Sequence, residues 1–412
     1  MEEAALSTAL AEARPRVMAA LLRSLRDLDA SEEAFQEACL RALNSWRTHG
    51  LPKNPIAWLI LVGRNAGIDS ARRRRGEALP PEDLLESHRG HPERHWIASL
   101  DQGLFDDDVL RLFLICCHPA LAPEHQIALA LKVVAGLTVP EIAQALLIQP
   151  KALEQRITRA KRRLIAAEAN YGPPTAAERH ERIPTVRTMI YLLFNEGYSA
   201  TGGDAHLRRN LCEEAIRLAR ILLRAIPADP EVMGLLALCL LQHSRYRARL
   251  GADGEIILLS DQDRRLWQRE LMAEGQVLVE KALRKGVPGP FQVQAAIAAV
   301  HSWAPQAAAT DWDEIDRLYG ALESLAPSPV VTLNRAVAVR EARGPRAALA
   351  LVEPLAEHLD GTFHFHGVRG QLWLDLGETD AARREWNRAW ELARTPAERL
   401  HLKSQLAKLR KG

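Results

Sequence analysis

Apolar residues recur at helical spacing from Asp29 to Leu43, behind the acidic opening Asp29-Ala-Ser-Glu-Glu. That pattern predicts a helix capped by Asp29 or Ser31, with acids in its first turn where the helix dipole favours them. A tight loop, Gly50-Leu-Pro-Lys-Asn-Pro55, separates it from a second helix that starts at Ile56-Ala-Trp58-Leu and ends in the run Arg72-Arg73-Arg74-Arg75. On this second helix Trp58, Leu61, Asn65, Ile68 and Arg72 fall on one side, and Asn65 and Asp69 stand four apart. The period then fades from Gly76 to Asp108, where Pro80-Pro81, Gly90, Pro92 and many acids predict a linker. Helical spacing returns over about 109–168, and Tyr171-Gly-Pro-Pro174 breaks the chain before a third block from about 176 to the end.

The sharpest local pattern lies in the second block. Leu137-Thr-Val-Pro-Glu-Ile-Ala-Gln-Ala-Leu-Leu147 opens with Thr138 and carries Glu141 three residues on, a capping box. After a turn at Ile148-Gln-Pro150, the segment 151–163 sets Leu153, Ile157, Ala160 and Leu164 along one side. Its opposite side holds Gln155, Arg156, Thr158, Arg159 and Arg162, and the segment has six cationic residues in all. A short helix, a turn and a second helix rich in hydrogen-bonding cations is the form of a major-groove helix-turn-helix. Arg and Gln suit bidentate contacts to base edges, while Lys and Thr suit phosphates. The plain alternative is an ordinary helical hairpin with a solvated basic face.

The third block repeats itself near its end. Asn334-Arg-Ala-Val-Ala-Val-Arg is followed by Gly344, Pro345 and Ala347-Ala348, and Arg369-Gly-Gln-Leu-Trp-Leu-Asp-Leu-Gly377 by Ala381-Ala382. Gly344 to Gly377 is 33 residues and Ala347 to Ala381 is 34, the period of stacked helix–turn–helix units. Glycine would end the first helix of each pair, and the small residues would face a neighbouring helix. Upstream, 213–225, 230–247, 266–284 and 291–303 read as helices of irregular spacing.

Composition supports an all-helical reading without deciding function. The 412 residues are 47% apolar but only 5% aromatic, and Ala and Leu dominate. Lys and Arg total 54 against 52 Asp and Glu, so a nucleic-acid signal must be local rather than global. Five scattered cysteines form no disulfide framework, and the acidic start Met1-Glu-Glu is unlike a signal peptide; both point to a reducing cytoplasm. No run reaches the 18 or so apolar residues of a membrane span, the nearest (127–137) being interrupted by Lys132, so no membrane association is expected.

Taken in order, the two N-terminal blocks resemble regions 2 and 4 of bacterial sigma factors of the extracytoplasmic-function group. The third block resembles the tetratricopeptide-like C-terminal extension of one subgroup. The phrases that carry this are Glu32-Glu33-Ala-Phe-Gln-Glu-Ala-Cys-Leu-Arg-Ala-Leu43, Asn54-Pro-Ile-Ala-Trp58-Leu with Arg64-Asn65 and Ile68-Asp69, and Leu110-Arg-Leu-Phe-Leu-Ile-Cys-Cys-His-Pro-Ala-Leu121. Further along stand Tyr191-Leu-Leu-Phe-Asn-Glu-Gly-Tyr-Ser199, Asp261-Gln-Asp263, Ala295-Ala-Ile-Ala-Ala299, 327–330 and Leu333-Asn-Arg-Ala-Val337. The resemblance implies an all-α chain with region 2 over 1–75, an acidic linker over 76–108, region 4 over 109–168 and a repeat domain over 176–412. It implies core RNA polymerase and promoter DNA as partners, with a protein partner or an intramolecular contact for the repeats. By position, Glu32, Glu33, Gln36, Glu37 and Arg41 would dock on polymerase. His49, Lys53, Asn54, Arg64, Asn65, Asp69, Arg72 and Arg73 would serve the −10 element, capturing a flipped base in the 49–54 loop and tracking the melted strand. Lys151, Gln155, Arg156, Thr158, Arg159 and Arg162 would read the −35 element.

No catalytic residue, metal or cofactor is expected. Cys116-Cys117-His118 lacks the second ligand pair zinc needs and reads as buried structural thiols. His364 and His366 read as repeat surface, and Asn195-Glu-Gly-Tyr-Ser199 has no partners for catalysis. Two rival functions stay open: a conventional helix-turn-helix regulator with a protein-interaction domain, and a scaffold whose basic runs are only solvated.

Overall fold

The computed structural model describes residues 3–74, 102–146, 148–167, 175–199, 205–249, 251, 256–393 and 396–409. Most of the expected linker, 75–101, lies outside the described residues. Among those described the chain is all-α, and it divides into two compact units. One comprises 1–193 with 220–226, and the other 194–219 with 227–412.

The N-terminal unit begins with α1 (Glu3–Leu25), α2 (Leu28–His49) and α3 (Pro55–Arg74), each packed on the other two. Val17, Leu21, Leu22, Phe35, Ala38, Trp46, Leu59 and Ile60 are buried between them. Gly63 lets the backbones close up: a Cβ there would stand 3.1 Å from Leu21 and 3.2 Å from the Ala34 carbonyl. The next helices are α4 (Gln102–Cys116), α5 (Pro123–Ala130), which runs into a π-helical turn (Leu131–Ala135), α6 (Val139–Ala145) and α7 (Pro150–Ala166). Helix α1 also packs on α4 and on the π-turn, so the first and second sequence blocks form one body. Helix α4 starts ahead of the boundary expected at 109. Asp108, counted among the linker acids, is buried inside it and paired with Arg111 at 2.9 Å and Arg23 at 3.0 Å.

Helix α8 (Ala176–Ser199) holds the division between units, at Leu193 and Phe194, so the third sequence block is not one unit from 176 onward. The C-terminal unit continues with α9 (Ala205–Ala225), α10 (Pro230–His243), α11 (Arg269–Leu283), α12 (Pro290–Trp303) and α13 (Trp312–Leu325). It ends with α14 (Pro329–Arg343), α15 (Pro345–Val352), α16 (Ala356–Leu359), α17 (Phe363–Asp375), α18 (Thr379–Leu392) and α19 (Pro396–Lys408). Sequential helices pack as neighbours: α13 on α14, α14 on α15, α17 on α18. Gly344 and Gly377 follow the first helix of the last two pairs with positive φ, +90° and +82°, which glycine adopts without the strain a side chain would meet. Ala348 and Ala382 are fully buried against the paired helices. His366 departs from the expected repeat surface. It is 3% exposed, with Nδ1 2.7 Å from a Glu385 carboxylate oxygen and Nε2 2.7 Å from the Asp360 carbonyl, while His364 is exposed.

Candidate nucleic-acid interface

Helix α6 starts with the capping box that its sequence spells. The Glu141 amide donates to Thr138 Oγ1 at 3.4 Å, and Glu141 accepts from the Thr138 amide and hydroxyl, both at 2.7 Å. Those bonds hold the Glu141 carboxyl below the usual carboxylate range. Pro150 opens α7, where its missing N–H costs nothing. Leu153, Ile157, Ala160 and Leu164 face inward, fixing which side of α7 meets solvent. That side carries Lys151, Gln155, Thr158, Arg159 and Arg162, all exposed, with Arg156 half-buried. A row of hydrogen-bonding cations on an exposed helix can enter a groove and reach base edges and phosphates. His125 of α5 stands near this row. Burial first, and then Arg163, Arg156 and Arg159, push its pKa down against the pull of Glu124.

In the first three helices the cap of α2 is Asp27, not Asp29 or Ser31. Asp27 is extended at φ −145° and its carboxylate accepts from the Ala30 amide at 2.8 Å; Ser31 is buried and donates to the Asp27 carbonyl at 2.6 Å. Asn54 likewise caps α3, with Oδ1 accepting from the Ala57 amide at 3.1 Å. The side chain expected to take part in base capture is thus engaged in the fold, whereas His49 and Lys53 beside it are exposed. Along α3, Arg64, Asn65 and Arg73 are exposed and Asp69 and Arg72 half-buried. Trp46 is the buried core tryptophan, and Trp58, half-buried, meets it edge-on at 5.4 Å.

The expected polymerase-docking residues part into two groups on α2. Glu33, Gln36 and Arg41 are exposed, with Arg41 paired to half-buried Glu37 at 2.8 Å. Leu40 projects among them, 58% exposed. Glu32 turns inward instead: Lys161 of α7 holds its carboxylate at 3.0 Å and that of Asp29 at 2.5 Å, and Arg14 reaches Glu32 at 3.6 Å. Burial alone would lower the Lys161 pKa, but the hydrogen bond to Asp29 and the charge of Glu32 raise it above the ordinary lysine value. Arg14 also donates to the Lys132 and Val133 carbonyls, at 3.1 Å and 3.3 Å. Sequence reasoning missed Lys161, Asp29 and Arg14 as a connection and Leu40 as an exposed contact. The available signal for Lys161 was its place four residues after Ile157 and three before Leu164, on the edge of the apolar stripe.

The thiols behave as structural groups. Cys116, Cys117, Cys212 and Cys239 are buried and burial pushes them up, to about 12 for Cys117 and Cys212. Among the described residues no group of three or more His, Cys, Asp or Glu could hold a metal ion. None of their helices is long and apolar enough to cross a membrane.

Comparisons with known proteins agree with this geometry. Residues 10–77 match the model of Sigma-70 region 2, residues 114–164 that of Sigma-70, region 4, and residues 182–283 a family of unknown function (DUF6596). An uncharacterized protein of Rhizobium meliloti (strain 1021) is 55% identical over 399 residues, covering 97% of this chain and 94% of its own length. The two matched regions coincide with α1–α3 and with the helix-turn-helix, in family order, and their members are transcription initiation factors rather than enzymes. The chain belongs to the sigma-70 family of factors that bind RNA polymerase and promoter DNA.

Proposed function

We propose that this protein is an alternative sigma factor of the extracytoplasmic-function group, acting in the cytoplasm. Helix α7 reads the −35 element through Lys151, Gln155, Arg156, Thr158, Arg159 and Arg162. The 49–54 loop and α3 serve the −10 element. There His49 and Lys53 flank the flipped base, and Arg64, Asn65, Asp69, Arg72 and Arg73 line the path of the melted strand. Duplex opening costs on the order of 1–2 kcal/mol per base-pair step, which such contacts to the displaced strand offset. Helix α2 docks on core polymerase through Glu33, Gln36, Glu37 and Arg41, with Leu40 as an apolar contact at their centre and Glu32 at the inner edge.

The observation that carries this reading is the exposed row on α7 in a chain that also carries region 2 in family order. A conventional regulator would need the helix-turn-helix alone and would leave α2 and α3 without a task. The C-terminal helices, read as tetratricopeptide-like repeats, regulate or support initiation by holding a protein partner or by folding on the sigma regions. Point substitutions suit that question better than removal of 176–412, because the N-terminal unit extends to Leu193 and includes 220–226.

The test is binding of the full chain to purified core polymerase, and separately to promoter DNA, for the wild type and for Glu33→Ala with Gln36→Ala. The reading expects at least a tenfold loss of polymerase affinity with DNA affinity retained. Equal polymerase affinity for both proteins would remove α2 from docking.

A further inference from the structure

Within the C-terminal unit three arginines gather with no carboxylate partner among the described residues. Arg245 and Arg249, just beyond α10, both lean on Tyr198. Arg245 donates to its hydroxyl at 3.0 Å, while Arg249 lies 3.5 Å over its ring and donates to its carbonyl at 2.8 Å. Arg264 closes the group from the segment before α11. It stands 4.7 Å from the Trp267 ring, which Arg245 also faces at 5.8 Å. Arg264 donates to the His301 and Ala304 carbonyls at 2.5 Å and 2.6 Å, and to the Thr310 hydroxyl at 3.5 Å. Every one of these acceptors is neutral.

Asp261 and Asp263, the described acids just before Arg264, are engaged elsewhere. Asp263 accepts from the Arg265 amide at 3.0 Å and pairs with its guanidinium at 2.8 Å, and exposed Asp261 accepts from the Ser260 hydroxyl at 3.2 Å. The cluster also holds donors that lack an acceptor. Trp267 is only 4% exposed and its Nε1 is buried without a hydrogen-bond partner, as is Arg264 Nε. Buried N–H groups in folded proteins are nearly always paired, so two unpaired donors beside uncompensated cations point to a missing acceptor of negative charge. His301 faces the same group; burial, then the charges of Arg245 and Arg264, hold its pKa at about 4. Of the sequence motifs that the sigma reading leaves unused, 195–199 enters the cluster through Tyr198, while Arg264 directly follows 261–263 and His301 lies two residues beyond 295–299.

We propose that Tyr198, Arg245, Arg249, Arg264, Trp267 and His301 form a binding site for a small oxyanion ligand, a phosphate ester or a carboxylate. Planar guanidiniums braced on aromatic rings present forked donors that match such oxygens. The ligand supplies both the counter-charge and the acceptor that the described residues do not. This site is independent of how the sigma regions act.

The probes are inorganic phosphate and succinate, titrated calorimetrically into the full chain, with chloride at matched ionic strength as the reference. Saturable binding above that reference is expected, and the stronger of the two names the headgroup. Arg245→Gln and Arg249→Gln should each weaken it at least tenfold, while Arg265→Gln, outside the cluster, should leave it unchanged. Should either substitution disturb folding, arginine modification of the unaltered protein by phenylglyoxal, mapped by mass spectrometry, decides the matter. Protection of Arg245 and Arg249 by the probe, with Arg265 unprotected, supports the site. No binding above chloride, equal affinity of well-folded variants, or equal modification with and without probe overturns it.

Discussion

Helices α2 and α7 are both amphipathic, and each buries one stripe in the same unit, yet they present their charges differently. On α7 the proposed DNA-reading residues point outward, and only Lys161, on the edge of the buried stripe, turns back. On α2 the proposed docking residues are split, with Glu33, Gln36 and Arg41 outward and Glu32 held by Lys161 and Arg14. The inner edges of the two helices therefore neutralise each other, while their outer faces remain open to partners. Periodicity foretells the outer faces, because an apolar stripe dictates what stands opposite. A bond across 129 residues is outside the reach of any local pattern.

The core behind α2 gives the largest expected effect. Trp46→Ala empties a site that is 1% exposed and should cost about 3–5 kcal/mol, read as a lower thermal midpoint of the N-terminal unit. Next comes the outer face of α7. Arg159→Ala should weaken promoter binding by about 1–3 kcal/mol, selectively for sequence if it contacts a base and uniformly if it contacts phosphate. A smaller loss is expected at the inner edge. Lys161→Met leaves Glu32, whose side chain is 12% exposed, with Arg14 at 3.6 Å and should destabilise by about 1–2 kcal/mol. A double-mutant cycle with Glu32→Gln should return a coupling of similar size, and additivity would dissolve the link.

The cap of α6 is worth less. Thr138→Ala should cost about 1 kcal/mol in urea unfolding. Because Glu141 titrates below its unfolded value of 4.5, its contribution is present above that pH and is lost as pH falls through the lowered folded value. The acid limb of the stability curve should accordingly flatten in the Thr138 variant. The outward pair of α2 ranks last: Arg41→Ala should change stability by no more than about 0.5 kcal/mol, since water reaches both partners. A larger loss would mean that the outer face is part of the core.

Much of the fold was legible because it is local. The helix-turn-helix, its capping box, the inward stripe of α7 and the glycines of the last repeats all follow from spacing within a few turns. The cap of α2 was misplaced by two residues because Asp27 and Asp29 are equally good caps, and only the backbone turn at Arg26, with φ +54°, selects the first. Asn54 was assigned to base capture through the resemblance of its loop, and its second task, capping α3, was not foreseen although an Asn ahead of an apolar run is a good helix cap. The unit boundary inside α8 was hidden, since helical periodicity runs through it unbroken. His366 and the arginine cluster escaped for a related reason. Their partners come from separate helices, and a composition of matched charges does not reveal which cations are paired.

The most direct test of the central claim is run-off transcription by purified core polymerase from the promoter upstream of the protein's own gene, with and without the full chain. The account predicts a transcript of defined start only when the protein is present, reduced at least tenfold by Arg159→Ala with Arg162→Ala. A well-folded protein that shifts this DNA by itself, yet yields no transcript with core polymerase, would contradict it and establish a conventional helix-turn-helix regulator instead.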